Sequence, residues 1–405
     1  MSARVRPVDL SDPDCFADGL PHAFFRRLRA ESPVCFMPEQ KGGPGFWAVT
    51  RHRDVVHVSK HPELFVSSQG TNIEDQSGEQ LARLQTIMLN MDPPQHVKYR
   101  NLVRRGFTPR KIAAMAPHVR ELAREIVGRV ARKGECEFVA QIAAELPMIV
   151  ICELMGVPQD DRHLLFDLSN RLIGFDDPEF QNSPEDAEQA ALEMWAYAHR
   201  LGQQRRARPV DDLVSDLVTG NVDGHQLSEL EFNNFFLLLA VAGNETTRNA
   251  ISGGLLALLE HRDQWERLQR QPHLLATAVD EIVRWVTPVL HFRRTAVEDT
   301  ELGGIEIGAG DKLVLWYPSA NRDEAVFDQP DRFDVGRTPN PHLGFGIGEH
   351  FCLGSHLAKL EMRFLFEELL RRMPDLELAA PPRRLRSNFI HGIKELQVRF
   401  TPERD

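Results

Sequence analysis

Apolar residues recur along most of this chain with the period of an amphipathic α-helix. The longest such stretch begins at Ser228, where Ser-x-x-Glu forms a capping box, and runs to about Glu260. At the standard rise this helix is about 50 Å long and should cross the whole protein. Further helices are predicted over residues 22–30, 53–60, 274–285 and 353–364, and over much of residues 110–205 between prolines.

Short β-strands are predicted over residues 34–37, 46–50, 289–294, 304–307 and 312–316, with a hairpin over 383–400. Residues 66–90 are polar and glycine-containing and are predicted to be irregular, and residues 170–190 also break the helical pattern. No linker divides the chain. The predicted fold class is mainly α with small β-sheets (α+β), in a single domain over residues 1–405 whose β-rich parts lie near 34–65, 289–317 and 383–400.

Composition narrows the class of protein. The chain has 405 residues, 42% of them hydrophobic, and a net charge of −11, which argues against a nucleic-acid partner. Its five cysteines are scattered and odd in number, which favours a reducing compartment. The first seven residues lack the apolar core of a signal peptide, and the longest apolar run, residues 235–242, is too short to span a bilayer. We therefore expect a cytoplasmic protein without a membrane anchor.

Candidate chemistry centres on Cys352, which ends a glycine-rich stretch beginning at His342 and directly precedes the predicted helix 353–364. A thiol beside a helix N-terminus is expected to favour its thiolate form, and the glycines allow close approach to a flat ligand. This combination indicates an axial bond to haem iron. Two alternatives remain from the residues alone: Cys352 is a small buried hydrophobe, or it shares a zinc ion with His342, His350 and His356.

Three further patterns contain polar or charged residues that could bind a ligand, take part in catalysis or form a buried ion pair. His96 and Arg100 lie four apart on one helical face, which indicates either a solvated basic face or a pair of donors for a carboxylate. Residues 242–247 place an acid and two threonines inside an apolar helix, where a hydroxyl bonding back one turn would open the helix locally; a polar stripe is the alternative. Glu281 and Arg284 form an i, i+3 pair that apolar neighbours should bury partly.

Together these motifs resemble the cytochrome P-450 superfamily of haem-thiolate monooxygenases. The residues that carry the resemblance are Phe345-Gly346-x-Gly348-x-His350-x-Cys352-x-Gly354, Asp92-Pro93-Pro94-x-His96-x-x-x-Arg100, Ala242-Gly243-x-Glu245-Thr246-Thr247 and Glu281-x-x-Arg284 with Arg337. Stretches such as Ser319-Ala-Asn-Arg-Asp and Phe389-Ile-His-Gly-Ile-Lys further resemble bacterial members that oxidise steroids, terpenoids and branched lipids.

The resemblance implies a role for each matching residue. Cys352 would be the iron ligand in a haem-binding loop that contains Phe345. Haem propionates would bind His96, Arg100, Arg294 and His350. Thr246 and Glu245 would be catalytic, handling oxygen and protons, and Glu281, Arg284 and Arg337 would form a structural triad. Residues 170–190 would form a movable lid, and the candidate pocket walls are Leu238, Val241, Ala242, Val289 and Phe389.

The resemblance also implies cofactors, partners and an activity. The cofactors would be haem b and O2, with electrons passed from NAD(P)H through a ferredoxin reductase and a ferredoxin to a monomeric enzyme. A basic patch could receive the ferredoxin or could simply be solubilising charge; its members are Lys98, Arg104, Arg105, Lys111, Lys359 and Arg363. The expected reaction is insertion of one oxygen atom into a C–H bond of a steroid, terpenoid or branched lipid. Alternatives are a tailoring hydroxylase of a secondary metabolite and a non-catalytic haem-thiolate binding or sensing protein, against which the presence of Glu245 and Thr246 argues.

Overall fold

A computed structural model describes residues 8–39, 42–76, 78–181, 183 and 185–404. The seven N-terminal residues examined for a signal peptide, Lys41 in the predicted turn, and Asn182 and Pro184 in the predicted lid lie outside this set. The α-helices in the described residues are α1 (His22–Glu31), α2 (His52–Lys60), α3 (Gly78–Leu84), α4 (Gln95–Arg104), α5 (Pro109–Ala131), α6 (Glu145–Met155), α7 (Arg162–Ile173), α8 (Asp186–Ala207), α9 (Leu213–Thr219), α10 (Glu229–Glu260), α11 (Arg262–Arg270), α12 (Leu275–Val286), α13 (Tyr317–Ala320) and α14 (Ser355–Arg372).

The strands are short and form four small sheets among the described residues. They are β1 (Val34–Met37), β2 (Phe46–Val49), β3 (Phe65–Val66), β4 (Glu135–Glu137), β5 (His291–Ala296), β6 (Thr300–Leu302), β7 (Ile305–Ile307), β8 (Lys312–Trp316), β9 (Glu377–Leu378), β10 (Arg383–Arg384), β11 (Ile393–Glu395) and β12 (Gln397–Arg399). The largest sheet has the order β1-β2-β8-β5-β3, in which only β2 and β8 run parallel. This architecture confirms the predicted fold class.

Helix α10 lies at the centre of the largest hydrophobic core, which also contains residues of α5, α6, α8, α12 and α14. It begins at the predicted capping box, with the Ser228 hydroxyl accepting from the Glu231 N–H and the Glu231 carboxylate accepting from the Ser228 N–H. Phe235, Phe236 and Leu255 are fully buried along its length. A helix that is apolar on all sides must be surrounded by protein, and that requirement places α10 inside the molecule.

The structure corrects one local prediction and confirms another only in part. Residues 66–90 contain the end of strand β3 and the whole of helix α3, and Leu84, at the end of α3, lines an internal cavity together with Ile87. Asp92 lies just before α4, and its carboxylate accepts the Ser67 and Ser68 N–H groups at 2.7 and 3.0 Å. The hairpin predicted over residues 383–400 forms in part: β10 and β11 pair antiparallel, whereas β12 pairs with β4 and β9.

Candidate active site

The structure encloses a cavity of about 530 Å³ between the middle of α10 and the loop that carries Cys352. One wall is helix α10, and the opposite wall is the loop 344–354 with the start of α14. The remaining sides come from the 70–90 segment, the end of α7, strand β5 and the turn at residues 389–390. Most of this wall is apolar, and its polar groups fall into distinct clusters.

The loop before α14 is shaped by glycines at positions that a side chain could not occupy. Gly346 and Gly348 adopt φ values of +68° and +77°, a left-handed conformation that L side chains rarely adopt. A Cβ on Gly348 would also lie 2.4 Å from the Ser59 carbonyl oxygen. The Cys352 N–H donates to the Phe345 carbonyl at 2.9 Å and closes the loop, with Phe345 and Cys352 both facing the cavity.

Burial raises the pKa of the Cys352 thiol, and the N–H groups of Gly354 and Ser355 together with Arg100 offset only part of that rise. The expectation that the helix N-terminus alone favours the thiolate is therefore wrong, because loss of hydration outweighs the helix dipole. A thiolate at this position needs a bound metal cation to hold it in the charged form.

A cluster of basic side chains lies beside this loop. His96, Arg100, Arg294 and His350 all line the cavity, and the His96 and His350 rings are in contact, with centroids 4.1 Å apart and planes tilted by 37°. Burial, then repulsion by Arg100, lowers the pKa of His96 to about 4. Burial and the neighbouring cations likewise hold the pKa of His350 well below its usual range, and burial lowers that of Arg294.

These residues fit an iron porphyrin. Neither Arg100 nor Arg294 forms an ion pair with a carboxylate among the described residues: Arg100 donates to the Phe351 carbonyl at 2.6 Å and Arg294 to the Arg293 carbonyl at 2.8 Å. His96 Nδ1 is buried without a hydrogen-bond partner in that same set. Buried cations and donors without an anion are costly, so the cluster requires anionic groups such as the two haem propionates.

Zinc does not fit. Among the described residues no group of three or more histidine, cysteine or acidic side chains is arranged to hold a metal ion. His342 lies 3.2 Å from an Asp280 oxygen and His356 is exposed at the surface, so neither joins Cys352.

The α10 wall presents Ala242 and Thr246 to the cavity. The Thr246 hydroxyl donates to the Ala242 carbonyl at 2.9 Å, as the bonding-back pattern predicts. The predicted local opening of the helix is wrong, because residues 242–247 remain within continuous α-helix. Gly243 instead permits close packing: a Cβ there would lie 2.8 Å from the Ile151 side chain of α6.

Glu245 lies one residue before Thr246 but is held by other partners. It is 1% exposed and forms an ion pair with Arg248, which also donates to the Asn170 side chain of α7 at 2.7 Å. Burial raises the pKa of Glu245, and the Arg248 guanidinium offsets part of the rise. The acid is therefore linked to α7 through Arg248, which lies three residues after it on the same helix.

The structure places all five candidate pocket residues in the cavity wall: Leu238, Val241, Ala242, Val289 and Phe389. Among the described residues of the predicted lid, only Leu172 and Ile173, at the end of α7, reach the cavity. Sequence reasoning missed Glu361, which also lines it; its Oε2 has no partner among the described residues, and burial raises its pKa well above the usual value. The sequence did contain a signal for Glu361, because an acid falls there on the apolar face of the helix predicted over residues 353–364.

The loop after α7 is fastened to the C-terminal strands by a strap of charged side chains at residues 177, 179, 383 and 394. Asp177 is 1% exposed and accepts from Lys394 Nζ at 2.8 Å and from the Arg386 N–H at 3.0 Å. Glu179 accepts from the same Lys394 at 2.7 Å and from Arg383 at 2.6 Å. The strap connects the loop to β10 and β11.

The predicted triad lies beneath the loop that leads to Cys352. Glu281 and Arg284 are fully buried, with Arg284 Nε donating to Glu281 Oε2 at 2.7 Å. Arg337 Nε donates to the same oxygen at 3.1 Å. Both arginines also donate to the Arg332 carbonyl, so the triad holds the chain that runs on towards residue 344.

A thiol and a cationic cluster facing a hydroxyl-bearing helix across an apolar cavity define a haem-thiolate oxygenase. The family model for Cytochrome P450 matches residues 157–379 of this chain. A Rhodococcus jostii steroid C26-monooxygenase is 44% identical over 402 residues, which cover 97% of this chain and 84% of the relative. A Pseudomonas putida linalool 8-monooxygenase is 41% identical over 403 residues, covering 98% of this chain and 99% of the relative.

Comparison with solved structures points to the same family as the sequence comparisons. A Mycobacterium marinum cytochrome P450 in complex with pseudoionone superimposes with a TM-score of 0.92 at 40% identity, covering 98% of this chain and 100% of the other. The chain belongs to the cytochrome P450 family and is a monooxygenase that uses haem iron and molecular oxygen. In the part of the chain that the structure describes, no helix is both long and apolar enough to cross a membrane.

Proposed function

We propose that this enzyme inserts one oxygen atom into a C–H bond of an elongated apolar substrate of the steroid, terpenoid or branched-lipid class. The cavity of about 530 Å³ with largely apolar walls, closed by α10 and the Cys352 loop, is the observation that carries the proposal. Relatives named for a steroid, for linalool and, at 43% identity, for a methyl-branched lipid act on molecules of this kind.

The chain supplies a ligand and a set of counter-charges to the cofactor. Cys352 would bind the iron through Sγ, and the cationic cluster of His96, Arg100, Arg294 and His350 would hold the propionates by charge-assisted hydrogen bonds. When bound, haem activates O2 with two electrons for attack on an unreactive C–H bond. The apolar walls exclude water and hold the substrate in place.

Thr246 and Glu245 would control protons on the opposite side. Because the Thr246 hydroxyl gives its own hydrogen to Ala242, its oxygen lone pairs are left to accept a hydrogen bond from a proton donor in the cavity. Glu245 would exchange protons when its carboxylate leaves Arg248, and burial, which raises the pKa of this acid, favours its protonated form.

A ferredoxin, itself reduced from NAD(P)H by a reductase, would deliver electrons near Cys352. Three members of the predicted basic patch are already paired, Lys98 with Asp223, Lys111 with Asp211 and Lys359 with Asp280. Arg104, Arg105 and Arg363 are exposed and form no ion pair within the described residues. These three arginines would contact the acidic partner.

Two further properties complete the proposal. The cavity and its polar clusters come from one chain, which suits a monomer. All five cysteines are free, which suits the cytoplasm.

The test is turnover with a surrogate ferredoxin, its reductase and NADPH, using cholest-4-en-3-one, farnesol and phytanic acid as representatives of the three classes. An oxygenated product from at least one substrate, with matching NADPH consumption, is expected. Haem-loaded enzyme that oxidises none of the three, while showing normal reduction by the surrogate system, would contradict the proposed substrate class.

A further inference from the structure

A second cavity, of about 210 Å³, lies among the segment before α1, the C-terminal ends of α10 and α12, and the strands β10 and β11. No described residue lines both this cavity and the active one. The two walls are nevertheless joined: His391, in the wall of the second cavity, donates its backbone N–H at 2.9 Å to the carbonyl of Pro288, in the wall of the active cavity. A ligand in the second cavity would therefore bind beside the substrate site without occupying it.

Arg322 lies in the wall of the second cavity with most of its hydrogen-bonding capacity unused. It is 6% exposed, and its guanidinium lies over the Trp285 ring, 3.8 Å from the ring centroid. Its Nη1 donates to Asp331 at 3.0 Å, whereas Nε and Nη2 donate to no other residue that the structure describes. Burial lowers the pKa of Arg322 to about 10, so the group is still charged at neutral pH. A buried guanidinium with unused donors is costly unless an acceptor reaches it.

Arg384, on β10, is the second cation of this wall. It forms no ion pair with any described carboxylate, and its Nη1 donates to His391 Nε2 at 3.4 Å. The other ring nitrogen of His391, Nδ1, donates to the Val286 carbonyl at 2.6 Å. Burial lowers the pKa of His391 to about 4, so the ring is neutral and accepts from Arg384. Arg384 is therefore positioned by an uncharged partner and has no counter-charge.

Negative charge is scarce around these two guanidinium groups. Asp331 pairs with Arg26 as well as with Arg322, so one carboxylate serves two cations. Glu260 also lines the cavity, but it is exposed, and water screens its charge. His22 lies in the same wall, and its Nδ1 is buried without a hydrogen-bond partner in the described part of the chain. The polar side of the cavity therefore has donors that lack an acceptor.

From this arrangement we infer that the second cavity binds a small organic carboxylate with an apolar body. Arg322 and Arg384 would give the carboxylate charge-assisted hydrogen bonds, for which the planar guanidinium is well shaped, and His22 would add a third through Nδ1. The apolar body would contact the side chains of Leu20 and Leu256. The residues involved are independent of those that carry the proposed function, and at about 210 Å³ the cavity suits a molecule smaller than the substrate.

The experiment compares three probes that share a phenylpropyl group: 3-phenylpropionate, its neutral amide and 3-phenylpropylamine. Binding is measured by calorimetry near neutral pH, using haem-loaded enzyme saturated with the azole econazole so that the active cavity is occupied. The carboxylate should bind at least about tenfold tighter than the amide, as expected for hydrogen bonds from charged groups, and the ammonium probe should bind most weakly. Equal binding of the carboxylate and the amide, or tighter binding of the amine, would overturn the inference.

The Arg384→Gln variant should bind the carboxylate at least about tenfold more weakly and leave the binding of the amide unchanged. Arg383→Gln is the matched control, because Arg383 lies on the same strand, pairs with Glu179 and Glu395 and does not line the cavity. Unchanged affinity in Arg384→Gln, or an equal loss in Arg383→Gln, would contradict the proposed site.

His22→Phe provides an independent test, because it keeps an aromatic ring and removes Nδ1. It should weaken binding of the carboxylate by about fivefold, as expected for one hydrogen bond, and an unchanged affinity would remove His22 from the site. Circular dichroism and haem content show that each variant is folded. None of these measurements requires turnover, so failure of the second cavity to bind a carboxylate leaves the proposed oxidation untouched, and failure of the oxidation leaves the binding result standing.

Discussion

Glu281 gives the sharpest test of what holds the cysteine loop in place. Its two oxygens accept from Arg284 at 2.7 and 2.8 Å, from Arg337 at 3.1 and 3.2 Å, and from the Asp334 N–H at 2.9 Å. Replacing it in Glu281→Gln keeps the shape of the side chain and removes the negative charge. Two guanidinium groups, 0% and 9% exposed, would then be buried without an adequate counter-charge.

Removing one partner of a buried ion pair costs about 3–5 kcal/mol. Domains are stable by only about 5–15 kcal/mol, so the variant should lose a large part of its free energy of unfolding. The Cys352 loop follows directly on the segment that the two arginines hold, so haem retention should fall as well. Urea denaturation followed by circular dichroism gives the stability, and the haem-to-protein ratio after gel filtration gives the retention.

Glu121→Gln is the control. Glu121 and Arg124 have the same i, i+3 spacing and an N···O distance of 2.7 Å, but their side chains are 47% and 59% exposed. Loss of this solvent-exposed pair should cost less than about 1 kcal/mol. If the two variants lose similar, small amounts of stability and keep haem equally well, burial is not what gives the triad its importance and the reasoning is refuted.

Four other predictions follow from the site. Thr246→Ala should lower the amount of product formed per NAD(P)H consumed by about tenfold or more and release hydrogen peroxide instead. Thr246→Ser should restore part of the product yield. If the product formed per NAD(P)H is unchanged in Thr246→Ala, Thr246 has no role in proton delivery. Cys352→Ser should abolish the red-shifted absorption band of the reduced carbon monoxide complex, and survival of that band would place the ligand elsewhere. Burial lowers the pKa of His291 to about 4, so between pH 6.5 and pH 4 the unfolded chain takes up a proton that the folded chain does not, and the free energy of unfolding falls as the pH falls. In His291→Gln, this fall, measured by denaturation across the same pH range, should be smaller by roughly 3 kcal/mol. An equal fall in the two proteins would contradict the lowered pKa of His291. Reversing the charge at Arg104 or Arg363 should weaken the apparent affinity for ferredoxin and reduce its dependence on salt concentration, and identical values would exclude a role for that arginine.

Long, strongly patterned elements could be predicted from the sequence. Helix α10 follows from its capping box and continuous apolar run, and α12 and α14 from their helical spacing, because the signal in each case lies within one segment. Helix α3 has seven residues, and β4 and β9 have three and two, so each is too short to show a period. Their existence depends on distant partners, as β12 shows by pairing with both β4 and β9.

The candidate site shows the same contrast between residues that a local motif identifies and contacts that depend on distant parts of the chain. Residues of the glycine loop and of α10 could be named because the motif fixes their relative positions in the chain. The hydrogen bond from Arg248 to the Asn170 side chain depends on the packing of α7 against α10, which a single sequence does not reveal.

The strap between the loop after α7 and the C-terminal strands contains a buried inner contact and a solvent-exposed outer contact. Asp177 and Lys394 are 1% and 12% exposed, whereas Glu179 and Arg383 are 49% and 48% exposed. Dissolved ions screen the outer contact and leave the inner one nearly intact. Rising ionic strength should therefore weaken the contact between Glu179 and Arg383, while the contact between Asp177 and Lys394 still holds the loop to β11.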